Sequence, residues 1–129
     1  MIYNYLVGNN DAHGKNFSLL YHGVRSENLE VGLAPLYDIV SRIYYPELSP
    51  DMAMKIGGEY SSEKVLPKNS EQLAEEAGLA KLIVRRRVPE VAETIISTLP
   101  EMEISNPIAE AVAALIRKRC ENVRNSFWN

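Results

Sequence analysis

One cysteine, one tryptophan, two histidines and no apolar run approaching the length of a membrane span narrow what this chain can be. A lone Cys120 cannot form an intramolecular disulfide and excludes a cysteine-built zinc site; it fits a reducing compartment, with a buried helical thiol as its expected role. His13 and His22 without a third ligand make a weak zinc pair. There is no basic excess either: the net charge is -3 and the pI about 5.4, which argues against a dedicated nucleic-acid surface while leaving room for a local patch. Met1 to Val7 carries no basic flank and reaches polar Asn9 too soon for a signal peptide, so a cytoplasmic protein with no membrane contact is expected.

What is present is ordinary for one globular domain: 129 residues, 46% hydrophobic and 24% charged. "MIYNYLVGN" reads as the last turns of a helix closing at Gly8, a domain start that implies preceding chain. "KNFSLLY" and "LEVGLAPLYDIV", separated by the polar turn "HGVRSEN", predict a short β-hairpin, interrupted by Gly32 and Pro35. From Ser41 to Glu59, Pro46, Pro50 and the pair Gly57, Gly58 predict loop, with "MAMKIGG" as a brief ordered piece. Ser70 caps a predicted short helix ending at Gly78. Pro89 suggests two helices meeting near Val88, and a long alanine-rich helix follows a cap at Ser105 or Asn106. Trp128 is expected to anchor that helix, and Ala109, Val112, Ala113 and Ile116 to pack in the core. Arg85, Arg86 and Arg87 could touch DNA or an acidic partner, but with Glu75, Glu76, Glu90 and Glu93 nearby a salt-bridged, solvated face is favoured. The fold class is mainly α with a small β-hairpin.

The stretch "GNNDAHGKNFSLL" concentrates the chemistry. A calcium loop would place Asn9, Asp11, His13 and Gly14 correctly but requires a bidentate glutamate where Leu20 stands. A polar turn, with side chains bonding their own backbone, accounts for "NNDAHG" taken alone. Spacing points elsewhere: Asp11, four residues, Asn16 is the core of a protein-kinase catalytic loop. There the aspartate takes or orients the proton of an attacking hydroxyl and the asparagine lends an amide oxygen to Mg²⁺. Lys15 between them can offset charge spreading over a phosphoryl group, and Asp38 in "LYDIV" stands where a kinase needs its other metal carboxylate. Such a site requires Asp11, Asn16 and Asp38 to meet at one solvent-facing cavity.

Together "GNNDAHGKNFSLL", "LAPLYDIVS", "MAMKIGGEY" and "LAEEAGLAKLIVRRRV" resemble the carboxy-terminal part of the HipA family of bacterial serine/threonine kinases, the toxin halves of toxin-antitoxin pairs. The resemblance covers residues 1–129 as one kinase-like carboxy-terminal lobe, with the amino-terminal ATP-binding lobe absent. It implies Asp11 as catalytic base, Lys15 as a phosphate or substrate contact, Asn16 and Asp38 as metal ligands, and His13 as a residue that holds the loop. Lys55 and the two glycines after it belong to the third motif, either as a plain turn or as a substrate contact. The implied cofactors are Mg²⁺ and ATP. The implied partners are a protein substrate and a cognate antitoxin, with nucleic acid reached only through the antitoxin. Departures from eukaryotic-type kinases are Asn10, where arginine is common, and Ile39 and Val40 in place of phenylalanine and glycine. No glycine-rich loop and no strand lysine with its helix glutamate precede the catalytic loop, so the chain alone is expected to be nearly or wholly inactive. The competing expectation is a non-catalytic module that binds an antitoxin, an intact kinase or a second copy of itself through the face the missing lobe would cover.

Overall fold

Burial of Leu6, Ile56, Val88, Ala92 and Cys120 from four separate parts of the sequence defines the centre of a computed structural model that describes residues 1–23 and 27–128. Two antiparallel hairpins lie between helix α1 (Ile2–Leu6) and the helices α2 (Pro67–Glu76), α3 (Lys81–Thr98) and α4 (Pro107–Trp128) that follow in turn. β1 (Leu19–His22) pairs with β2 (Glu30–Leu33), and β3 (Asp51–Ile56) pairs with β4 (Glu59–Ser61). The turn expected in "HGVRSEN" falls partly on Val24, Arg25 and Ser26, which lie outside the described residues.

Helices α3 and α4 form the main packing layer, with Val88 and Ala92 set against Cys120 and Val123, and α1 contributes Tyr5 and Leu6. The period-two burial of β3 turns Met52 and Ile56 into the same core. The brief ordered piece in "MAMKIGG" is therefore one arm of a second hairpin, closed by Gly57 and Gly58 at φ +49 and +82. Cys120 is fully buried, as its helical context suggests, and burial pushes its thiol up to about 11. At pH 8 its reaction with a disulfide reagent is expected to run about 100-fold slower in the folded chain than in the unfolded one, the ratio of thiolate present. Rates that match would place the thiol at the surface.

Three local expectations are corrected. Helix α2 begins at Pro67 rather than at Ser70, because Pro67 suits the first turn and the Asn69 Oδ1 accepts the Leu66 N–H at 2.9 Å; Ser70 is buried within the helix. Residues 81–98 form one helix with Pro89 inside it instead of two meeting at Val88. A proline there costs about 3 kcal/mol in an isolated helix, but Val88, Pro89 and Ala92 are all buried, and packing against α4 outweighs the local preference. Trp128 is 67% exposed, with the Arg124 guanidinium 5.4 Å from its ring centre, while Phe127 makes the core contact. Of the expected core stripe on α4, Ile116 reaches the core; Ala109, Val112 and Ala113 are half-buried along an apolar groove. The arginine run is the solvated face expected for it: Arg85 pairs with Glu71, and Arg86 and Arg87 both pair with Glu90 at 2.8 Å.

Candidate active site

Helix α1 stops at Leu6, and Gly8 at φ +76 turns the chain so that its carbonyl accepts the Arg42 N–H at 2.9 Å. A Cβ at Gly8 would press on the Ile43 side chain, so glycine is needed both for the turn and for the close approach. This contact sets the loop at residues 9–16 beside the segment that carries Asp38.

Two buried asparagines then fix the loop from below. The Asn9 Nδ2 donates to the Asn4 Oδ1 at 2.9 Å and to the Asp38 carbonyl at 3.3 Å. The Asn10 Nδ2 donates to the Pro50 carbonyl at 3.2 Å, while the Asn10 carbonyl accepts the Ala53 N–H at 2.7 Å. Asn4, Asn9 and Asn10 are each 5% exposed, a depth at which polar groups are normally bonded; the Asn10 Oδ1 is the exception, buried without a partner among the described residues. With its neighbours held below, Asp11 is left at the surface, its carboxylate making no hydrogen bond or ion pair among the described residues. Lys15 is likewise exposed with an unengaged ammonium.

The next turn, residues 14–16, brings Asn16 round to Asp38. The Asn16 Oδ1 accepts the His13 N–H at 3.0 Å, and its Nδ2 donates to the Asp38 Oδ2 at 3.1 Å. His13 thus ties the loop through its backbone, and its imidazole is exposed. The Tyr37 hydroxyl donates to the Lys15 carbonyl at 3.0 Å and lies 3.0 Å from the Ser18 Oγ, which is left to donate to it. Asp38 itself has φ +56, the left-handed region that aspartate and asparagine tolerate better than other non-glycine residues.

Asn16 and Asp38 are therefore in direct contact, and Asp11 is joined to them through the Asn9 bond to the Asp38 backbone. The expected cavity is replaced by an open surface: Asp11, Lys15 and Asp38 are exposed and Asn16 half-buried. Among the described residues no group of three or more His, Cys, Asp and Glu could cage a metal. Asp38 keeps one carboxylate oxygen unbonded, and the Asn16 Oδ1 keeps a lone pair. Two such oxygens suit Mg²⁺, which retains waters and phosphate oxygens for its remaining positions. Lys55 lies exposed on β3. Asn4, Tyr37 and Ser18 were not singled out from the sequence, and Asn9 entered as a site residue only at a calcium-loop position; the clue was three asparagines within seven residues at a helix end, where burial demands partners.

Residues 1–100 match the family model described as the HipA-like C-terminal domain. The chain belongs to that family. This HipA-like C-terminal domain is 42% identical over 93 residues to Y4mE of Sinorhizobium fredii, covering 72% of this chain and 21% of that one. It is 28% identical over 109 residues to the serine/threonine-protein kinase toxin HipA of Shewanella oneidensis, covering 79% of this chain and 24% of the toxin. The HipA chain in a solved complex of the Shewanella HipA, HipB and operator DNA superposes with a TM-score of 0.80 at 21% identity, over 98% of this chain and 30% of that one. The HipA-like domain thus has the fold of part of a protein-kinase-like enzyme, and it spans between 21% and 39% of the length of these and a third relative, from Haemophilus influenzae.

Proposed function

We propose that these residues form the catalytic-loop part of a HipA-like serine/threonine kinase, which transfers a phosphoryl group from Mg-ATP to a protein hydroxyl when joined to an ATP-binding lobe. The observation that carries this is the hydrogen bond from the Asn16 Nδ2 to the Asp38 Oδ2 at 3.1 Å, since it brings together the two side chains, 22 residues apart in sequence, that carry the candidate metal oxygens. Asp11 would accept or orient the proton of the attacking hydroxyl, a role for which an exposed, unbonded carboxylate is available. Lys15 would offset charge on the transferring group, with its backbone held by Tyr37. Bound Mg²⁺ would neutralise phosphate charge and orient the nucleotide, with Asp38 and Asn16 as its protein oxygens. His13 and Asn9 hold the loop geometry and touch no reacting atom.

Positioning supplies most of the rate in phosphoryl transfer, and the parts that cover and clamp the nucleotide are not found in these 129 residues. The domain alone is therefore assigned weak nucleotide binding and no turnover. The test is calorimetric titration with Mg-ATP. Binding in the millimolar range is expected to require both Mg²⁺ and ATP, and to weaken at least about tenfold in Asp38→Asn, because one carboxylate supplies the only full negative charge among the proposed ligands. No heat with the unaltered chain, or equal heat with the variant, contradicts the assignment.

A second reading is favoured by the first hairpin. Leu19, Leu20, Tyr21, Val31 and Leu33 are 43% to 61% exposed, and Tyr37, Ile39 and Val40 continue the apolar surface beside Asp38. A hairpin uncovered on both faces is suited to a partner that covers it. In a non-catalytic role the domain would bind an antitoxin, an intact kinase or a second copy of itself there. A dimer in sedimentation equilibrium that dissociates in Leu19→Glu/Leu33→Glu supports this reading; a monomer at all concentrations, with no apolar dye binding, counts against it.

A further inference from the structure

A cavity of about 640 Å³ opens between the segment at residues 42–50 and helix α4, reaching Asn10 of the loop at residues 9–16. Its size is that of a ligand pocket rather than a packing defect. Arg42, Lys118 and Arg119 all line it, against a single carboxylate, Glu63. None of the three cations makes an ion pair among the described residues, although five other basic side chains do.

Arg119 is the most telling of them. Its Nε donates to the Tyr5 carbonyl at 2.9 Å and its Nη2 to the Ser62 carbonyl at 3.0 Å, while its guanidinium stacks 4.6 Å from the Tyr5 ring centre. Two carbonyls and a ring hold the fork rigidly without supplying a counter-charge. Burial pulls its pKa below the ordinary arginine value, a sign that desolvation is incompletely offset. Arg42 is half-buried, and its guanidinium makes no hydrogen bond among the described residues; only its backbone is engaged. A partly desolvated cation without a counter-charge is costly, and an entering anion relieves that cost at Arg119 and Arg42, while exposed Lys118 adds its charge from the rim.

We propose that this cavity is a phosphomonoester-binding site, with Arg119 as its preorganised fork and Arg42 and Lys118 as the groups that close on the anion. Three cations and one carboxylate leave a net charge of two positive, which matches a phosphate monoester carrying close to two negative charges. Guanidinium forks fit the oxygens of phosphates and carboxylates alike in pairs, so the charge match is what favours a phosphomonoester over a lone carboxylate. The phosphate has two sources consistent with the lining. One is a small free phosphate compound; the other is a phosphorylated side chain of the segment itself, where the hydroxyl-bearing residues Tyr45 and Ser49 line the cavity. Either would fasten the segment, whose Pro50 carbonyl is held by Asn10, the neighbour of Asp11. The site stands whether or not the loop performs phosphoryl transfer.

The test is a ¹H–¹⁵N shift titration of the 129-residue chain at constant ionic strength, first with inorganic phosphate and then with O-phosphoserine and O-phosphotyrosine. Saturable shifts at Arg42, Ser62 and Arg119 are expected, with a Kd of about 1 mM and complete by about 20 mM. Arg42→Gln/Lys118→Gln, which removes no bond seen among the described residues, is expected to weaken binding at least about tenfold, whereas Arg86→Gln on α3, outside the cavity lining and paired with Glu90, leaves it unchanged. Tighter binding of either phosphoamino acid than of phosphate assigns the source to a modified side chain; equal affinity assigns it to a free compound. No saturable shift by about 20 mM, or an affinity unchanged in the double variant, overturns the proposal.

Discussion

Asp11→Asn, placed in a chimaera that joins this domain to the ATP-binding part of a longer relative, is expected to cut phosphotransfer from labelled ATP by a factor of about 10² to 10⁴. That range is what a positioned proton acceptor contributes. The substitution keeps size and shape and removes only the basic oxygen. Asp11 makes no hydrogen bond or ion pair among the described residues, so its loss leaves the loop standing on Asn9 and Asn10. The thermal midpoint should accordingly move by less than about 2 °C. A folded chimaera that is labelled equally well with and without the Asp11 carboxylate would remove Asp11 from the chemistry, and one that folds yet is never labelled would remove the domain from it.

Gly57→Ala should be the most damaging small substitution in the fold. Gly57 adopts φ +49, and a Cβ there would run into the backbone of Asn69 in the first turn of α2. That backbone cannot retreat cheaply. The Asn69 Nδ2 donates to the Gly57 carbonyl at 3.0 Å, and its Oδ1 accepts the Leu66 N–H, so one asparagine clamps the hairpin turn to the helix start. Left-handed strain of about 1 to 2 kcal/mol and overpacking of about 1 to 3 kcal/mol together predict a loss near 3 kcal/mol. At this chain length that lowers the thermal midpoint by about 10 °C or more. Gly58→Ala is the control, because at φ +82 its Cβ would meet only the Gln72 side chain at 3.6 Å. It should cost the strain alone, and equal losses at the two positions would show that the clamp at Asn69 has been misjudged.

These two sites differ in how much of them could be read from the chain. The five-residue step from Asp11 to Asn16 is local, and so is the cap of α4, where the Asn106 Oδ1 accepts the Ala109 N–H at 2.8 Å; both were legible. The link from that loop to Asp38 was legible only as an order of motifs, because the Asn9 bond to the Asp38 carbonyl closes across 29 residues and no local pattern encodes it. Pro89 misled for the opposite reason. Its local preference is real, but the burial of Val88 and Ala92 against Cys120 on α4 decides the helix, and that contact depends on the fold as a whole. The second hairpin was half legible: Met52, Met54 and Ile56 alternate ahead of a double glycine, yet β4 is only three residues long and too short to register as a strand.

The central claim is that Asn16 and Asp38 form one metal-binding point beside Asp11. Mn²⁺ substituted for Mg²⁺ in the presence of ATP reports its position directly, through paramagnetic broadening in the ¹H–¹⁵N spectrum of the chain. Selective loss of the Asp11, Asn16 and Asp38 amide signals at substoichiometric Mn²⁺, restored by Asp38→Asn, is the result expected. Broadening centred elsewhere, or unchanged by that substitution, would contradict it.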